Sequence, residues 1–150
     1  MYDNPWLFDG VIFESKQIGD YYGFVYMITS LIDGKKYIGR KYFYSVRKKS
    51  RKDKRRTKSE SDWQNYYGSS DELKEQIDKY GKENFRREIL SLHTTKGRTN
   101  YEEVRAQFLY GVLESEEFIN GNINGKWHRS PEHIAEKSRY STKSSWRTPE

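Results

Sequence analysis

Residues 21–41 read YYGFVYMITSLIDGKKYIGRK, and the way this stretch folds decides the reading of the rest. GFVYMIT is β-branched and aromatic, the composition of a strand. LIDGK supplies turn chemistry, because Asp33-Gly34 tolerates positive φ. KKYIG then reads as the returning strand of a β-hairpin. Tyr26 and Tyr37 sit inside the two runs, eleven residues apart. A cross-strand aromatic pair stiffens a hairpin by itself, so a second signal is needed before chemistry is assigned to their hydroxyls.

Charge supplies one. The chain carries net +6, yet Arg40 to Lys58 alone holds eleven Lys or Arg against one acid, Asp53, so the remainder is acidic. A basic block concentrated on an acidic protein is an electrostatic footprint for a polyanion. A solvated loop of repelling charges is the plainer alternative, but Tyr42, Phe43 and Tyr44 lead into the block and anchor it. Apolar and charged residues each make up 33% of 150 residues, which allows one small core, with aromatics at 16% filling much of it. The absence of cysteine excludes disulfides, thiolate catalysis and Cys-based zinc sites. No apolar run approaches the ~20 residues of a membrane span, and MYDNPWLFDG is unlike the basic start of a signal peptide. The expectation is a soluble, cytoplasmic protein.

Outward from the hairpin, residues 1–22 read as an N-terminal arm with scattered anchors at Trp6, Phe8 and Phe13. YFYSVRKK reads as the start of a helix that dissolves into the basic run. Ser69 with Glu72 is a capping-box pattern opening an amphipathic helix through Leu73, Ile77 and Tyr80, stopped by Gly81. NFRREILSLH reads as a third strand. KGRTN reads as a loop, and YEEVRAQFLYGVL as a helix capped by Asn100 or Thr99, with Val104, Phe108 and Val112 as its apolar stripe. Residues 126–150, rich in Ser, Lys, Arg and Glu, read as a basic flexible tail. The order gives a small α+β domain over 23–125, with a short, about three-stranded sheet flanked by helices.

GFVYMITSLIDGKKYIGRK resembles the signature of the GIY-YIG endonucleases, with FVY in place of the first triplet and Tyr37-Ile38-Gly39 intact. Further features follow in the family's order: Arg47 ten residues past Tyr37, KYGKENFRREIL before the third strand, YEEVRAQF where the family carries a glutamate, and Asn120 late in the fold. The pattern is most similar to phage-encoded, homing-type members. The resemblance implies a DNA endonuclease using Tyr26, Tyr37, Arg47 and Glu103, with Glu103 holding one Mg2+ (or Mn2+). Glu102 is the substitute for Glu103, and either acid could instead cap a helix. Arg51 falls where relatives often carry a histidine, which leaves the general acid open.

These residue types suit phosphodiester hydrolysis, which needs an oriented water, a cation on the non-bridging oxygens and help for the leaving group. A phenol acting as base needs its pKa lowered by nearby positive charge, for which Arg47 and Lys41 are the candidates. Gly39, Arg40, Lys41, Lys48, Lys49, Arg51, Ser69 and Asn120 are the expected substrate contacts, Gly39 because a side chain would crowd an approaching phosphate. Asn120 reads equally as a turn or C-cap residue, and His93 as structural. The expected partner is duplex DNA, a double-strand cut requiring a homodimer or two successive nicks. The rivals are an inactive nucleic-acid-binding module on the same fold and a protein whose basic block engages an acidic partner.

Overall fold

The computed structural model describes residues 2–48 and 56–134. At its centre is β3 (Gly23–Ser30), every residue of which is buried. Alternate side chains of β3 enter two cores. Phe24, Tyr26 and Ile28 join Trp6, Phe13, Phe43, Trp63, Leu73 and Phe85 on one face. Val25 and Met27 join Ile38, Val112, Leu113, Phe118 and Ile123 on the other. Burial on both faces is why this strand reads as a continuous apolar run without alternation.

β3 pairs antiparallel with β4 (Lys36–Tyr42). In the connection Gly34 takes φ +77°, and the Ser30 hydroxyl accepts from the Ile32 and Asp33 amides. On its other side β3 pairs antiparallel with β7 (Phe85–His93), with a register shift between Val25 and Tyr26. The expected three strands are therefore the heart of the sheet. They are extended by a short hairpin, β1 (Leu7–Phe8) and β2 (Val11–Ile12), to the order β2-β1-β7-β3-β4. Because β1 runs parallel to β7, the α+β domain has a mixed sheet. Residues 1–22 are thus no arm outside the domain. Trp6 is fully buried and its indole donates to the Trp63 carbonyl (2.7 Å), and Phe13 stacks on Phe43 at 5.6 Å.

The segment expected to open a helix is instead β5 (Tyr44–Lys48), paired with β6 (Arg56–Glu60). Tyr44 and Val46 favour extended backbone. A helix would also have stacked the basic side chains at the i, i+4 spacing where like charges repel. Lys58 folds its ammonium over the Tyr44 ring (4.1 Å). Lys49 and Arg51 lie outside the described residues, as do the side chains of Arg47 and Lys48 and the end of the expected tail, 135–150. The start of that tail packs back: β9 (Trp127–His128) pairs with β8 (Asn122–Ile123), and Arg129 donates to the Ser115 carbonyl (2.9 Å).

α1 (Asp71–Tyr80) lays Leu73 and Ile77 on the first core and ends at Gly81. Its N-cap is Ser70, whose hydroxyl accepts from the Leu73 amide (3.2 Å), one residue later than the expected Ser69. α2 (Lys96–Leu109) covers the second core and starts a turn earlier than expected, because Thr95 caps the Arg98 amide (3.1 Å). Its buried residues are Thr99, Glu102 and Gln107. Phe108, expected on the inner stripe, is 49% exposed and packs edge-on against Trp127. The helix turns its polar face inward because it lies close over Gly23, where a β-carbon would meet Thr99 Cγ2 at 3.0 Å.

Candidate active site

β4 is the edge strand, and its pleat sends Tyr37, Gly39 and Lys41 to the face of the first core but Ile38, Arg40 and Tyr42 to the face of α2. The candidate residues meet around this edge. Two adjoining clefts, of about 680 and 550 Å3, share one wall made by Tyr37, Arg40, Ser69 and Glu103. The larger cleft continues along Lys41, Tyr42 and Tyr44 toward the basic hairpin β5–β6.

Tyr26 and Tyr37 are not directly opposite. Tyr26 faces Gly39, and Tyr37 faces Ile28, so the rings meet diagonally with centroids 6.3 Å apart. Tyr26 lies across Gly39. A β-carbon there would sit 2.7 Å from Tyr26 Cζ and 3.1 Å from Tyr37 Cε2. The Tyr26 ring, rather than an approaching phosphate, is what requires glycine at 39. Gly68 leaves room on the other side of the same hydroxyl, 3.3 Å from where its own β-carbon would be.

Neither phenol is activated. Burial pushes the Tyr26 hydroxyl well above its usual range, and the neighbouring Tyr66 and Tyr37 phenols and Glu103 add to this. Burial also raises Tyr37, the Ser69 hydroxyl (3.5 Å away) and Arg40 only partly offsetting it. The expected lowering by Lys41 is not seen, because Lys41 is bound to Asp62 (2.7 Å) and lies over the Tyr66 ring (4.2 Å). Both tyrosines are neutral phenols at neutral pH, fitted to donate and accept hydrogen bonds.

The two glutamates part company. Glu102 is held by Arg98 (2.6 Å) and Arg105 (3.1 Å) along its own helix. Glu103 faces the clefts, and its Oε1 accepts from Arg40 Nη1 at 2.7 Å. Burial nevertheless keeps the Glu103 carboxyl above its usual value, Arg40 offsetting only part of the cost. Burial likewise works against the Arg40 charge, but the Tyr42 hydroxyl and Glu103 outweigh it, leaving Arg40 above its ordinary value. One helical turn beyond Glu103, the Gln107 side-chain amide donates to the Ile38 carbonyl (3.0 Å) while its amide oxygen is buried without a hydrogen-bond partner among the described residues. No group of three His, Cys, Asp or Glu able to hold a metal occurs among the described residues. A mostly buried carboxylate on the same helical face as an unpaired amide oxygen fits a hard divalent cation that keeps several of its waters. It does not fit a fully protein-ligated ion.

Position 47 lies on β5 opposite Thr57. Asn120 is committed elsewhere: its amide receives the Ile38 N–H (3.1 Å) and donates to the Ile38 carbonyl (2.8 Å), clamping the edge of β4. His93 hydrogen-bonds Ser91 and stands apart from the clefts. Sequence reading did not single out Gln107 or Lys96. The first follows Glu103 by four residues and so shares its helical face; the second lines the larger cleft from the unforeseen first turn of α2.

The family model described as "Putative endonuclease segE, GIY-YIG domain" matches residues 6–123, most of the chain. No curated protein and no solved structure matches.

Proposed function

The chain belongs to the GIY-YIG endonuclease family, and on that premise we propose that it is a metal-dependent endonuclease hydrolysing phosphodiester bonds of duplex DNA. The observation that carries the proposal is the convergence of Tyr37, Arg40 and Glu103 on one open wall at the edge of β4. That wall continues into a hairpin from the most basic stretch of the sequence.

Hydrolysis places a hydroxyl on phosphorus and a proton on the leaving oxygen. Tyr37, as a neutral phenol, orients the attacking water by hydrogen bonding, with Ser69 fixing the phenol. Tyr26, locked under Gly39 and Gly68, is the buried support that holds the Tyr37 ring in place. Glu103, with the Gln107 amide oxygen beside it, is the group to hold a divalent cation, Mg2+ or Mn2+. Such a cation supplies Lewis-acid stabilisation of the charge developing on the phosphoryl oxygens. Lys96 and the basic hairpin bind backbone phosphates, making affinity fall steeply with salt. One such site cuts one strand, so a duplex break takes two copies or two nicks. No helix among the described residues is long and apolar enough to cross a membrane.

The test is supercoiled plasmid with Mg2+ or with EDTA. The protein nicks only with the metal, and Tyr37→Phe and Glu103→Gln each slow nicking by about 10²-fold or more. Wild-type protein that binds the plasmid yet leaves it supercoiled in every divalent metal would refute the proposal and favour a binding module.

A further inference from the structure

We infer that Arg40 is the catalytic arginine of this chain, and that the site loads by exchanging the Arg40–Glu103 ion pair for a Glu103–cation and an Arg40–phosphate contact. The inference rests on the endonuclease reading above and names the cation that meets the scissile phosphate.

Three observations carry it. The first is place. Arg40 belongs to the wall shared by both clefts, with the Tyr37 phenol and the Glu103 carboxylate in the same wall. The second is how the guanidinium is held. Nε donates to the Tyr42 hydroxyl (3.2 Å), which itself donates to Asn100 Oδ1 on α2 (2.5 Å). Nη1 donates to Glu103, and Nη2 has no hydrogen-bond partner among the described residues. The side chain is 38% exposed, so the fork is anchored at one nitrogen and open at the other two positions if Glu103 lets go. That geometry suits a bidentate grip on phosphate. The third is what the other described cations do. Lys41 is spent on Asp62, Arg98 and Arg105 on Glu102, Arg87 is buried against backbone carbonyls of Asn4, Gln64 and Tyr66, and Lys96 lines the larger cleft alone, not the wall shared by both.

The exchange follows from charge. A carboxylate that receives a divalent ion no longer attracts a guanidinium a hydrogen bond away, because the two cations now repel. An arriving phosphodiester restores a negative partner for Arg40 on the open side of the wall. Without metal, the pair keeps a mostly buried carboxylate and a partly exposed guanidinium from standing alone, which would cost more than either does paired.

The experiment has two arms on the full-length chain. In the first, Mn2+ binding is measured by calorimetry without DNA. Arg40→Gln removes the competitor for the carboxylate and tightens Mn2+ binding by about 2- to 5-fold, the scale of a partly exposed ion pair, whereas Glu103→Gln weakens it. In the second, single-turnover cleavage is followed at saturating DNA with Mg2+. Arg40→Gln slows it by about 10²–10³-fold, and Arg40→Lys, which keeps the charge but not the fork, recovers DNA affinity without recovering the rate. Folded Arg40→Gln protein with unchanged or weaker Mn2+ affinity, or with the wild-type cleavage rate, overturns the inference. So does a greater loss of saturated rate in Arg47→Gln. If the wild type cuts nothing, the endonuclease reading fails, and the Mn2+ arm still decides the exchange.

Discussion

Replacing Gly39 with alanine adds one methyl group at the most crowded of the chain's glycines. An added β-carbon would stand 2.7 Å from Tyr26 Cζ, closer still to its hydroxyl, and 3.1 Å from Tyr37 Cε2. Ordinary contact begins near 3.4 Å, so the Tyr26 ring must give by most of an ångström and the Tyr37 ring by a few tenths. Tyr26 cannot yield easily, since it is 1% exposed and packed by Trp6 at 5.1 Å, Phe24 at 6.0 Å and Tyr66 at 6.0 Å. Overpacking a filled core costs about 1–3 kcal/mol. Relief of glycine's backbone entropy returns roughly 0.5–1 kcal/mol, so the clash wins. Urea denaturation should show Gly39→Ala destabilised by about 1–2 kcal/mol, a loss of roughly 2–8 °C in Tm for a domain of this size. The geometry of the cleft wall changes with it, because the displaced rings carry its hydroxyls. Tyr26→Phe deletes the nearest atom and should restore part of the stability lost in Gly39→Ala, a coupling of about 0.5 kcal/mol or more in a double-mutant cycle. Gly39→Ala protein as stable as wild type, or a Tyr26→Phe change that simply adds to it, would refute the steric account.

Two further outcomes follow from the same wall. Glu103 has a folded-state pKa raised above its ordinary 4.5, so the native chain binds more protons than the unfolded one in that window. Its contribution is fully present below pH 4.5 and is lost as pH rises through the folded value. A series of thermal melts from acid to neutral pH should show this loss in the metal-free wild type but not in Glu103→Gln, and an equally steep loss in both would exclude Glu103 as its source. Asn120→Ala leaves the buried Ile38 amide without an acceptor and should cost about 1–3 kcal/mol in denaturation. DNA affinity per folded molecule should hardly change, as electrophoretic mobility shifts would show.

The hairpin was legible because Tyr26, Tyr37 and the Asp33-Gly34 turn are local signals: strand composition and turn chemistry act over a few residues. The direction of Glu103 was legible only as one of two choices. A helix puts adjacent acids 100° apart, and spacing cannot say which face meets the sheet. The neighbouring arginines decide it by engaging Glu102. The β5–β6 pairing was hidden because its partners are separated by a run of charge whose composition resembles solvated coil. Phe108 misled because an apolar stripe is normally the buried one, whereas here Gln107 takes the inward position by donating to the Ile38 carbonyl and Phe108 packs outside on Trp127. Arg87 gave no sign of being 1% exposed; its burial is possible only because carbonyls of Asn4, Gln64 and Tyr66 converge on it from distant segments.

The outer edge of β4 carries a consequence for the chain's life in a crowded solution. An uncovered strand edge invites pairing with another chain. Here the outward peptide groups of Lys36 are taken by Glu117 and Ile119, and those of Ile38 by Asn120. The Tyr42 carbonyl is taken by the Ser61 hydroxyl. By the parity of the pleat, what remains among the described groups is the rung at Arg40 and the Tyr42 N–H. So short a gap offers too few peptide groups to template a foreign strand. The open wall at this edge is thereby kept from becoming a seed for aggregation.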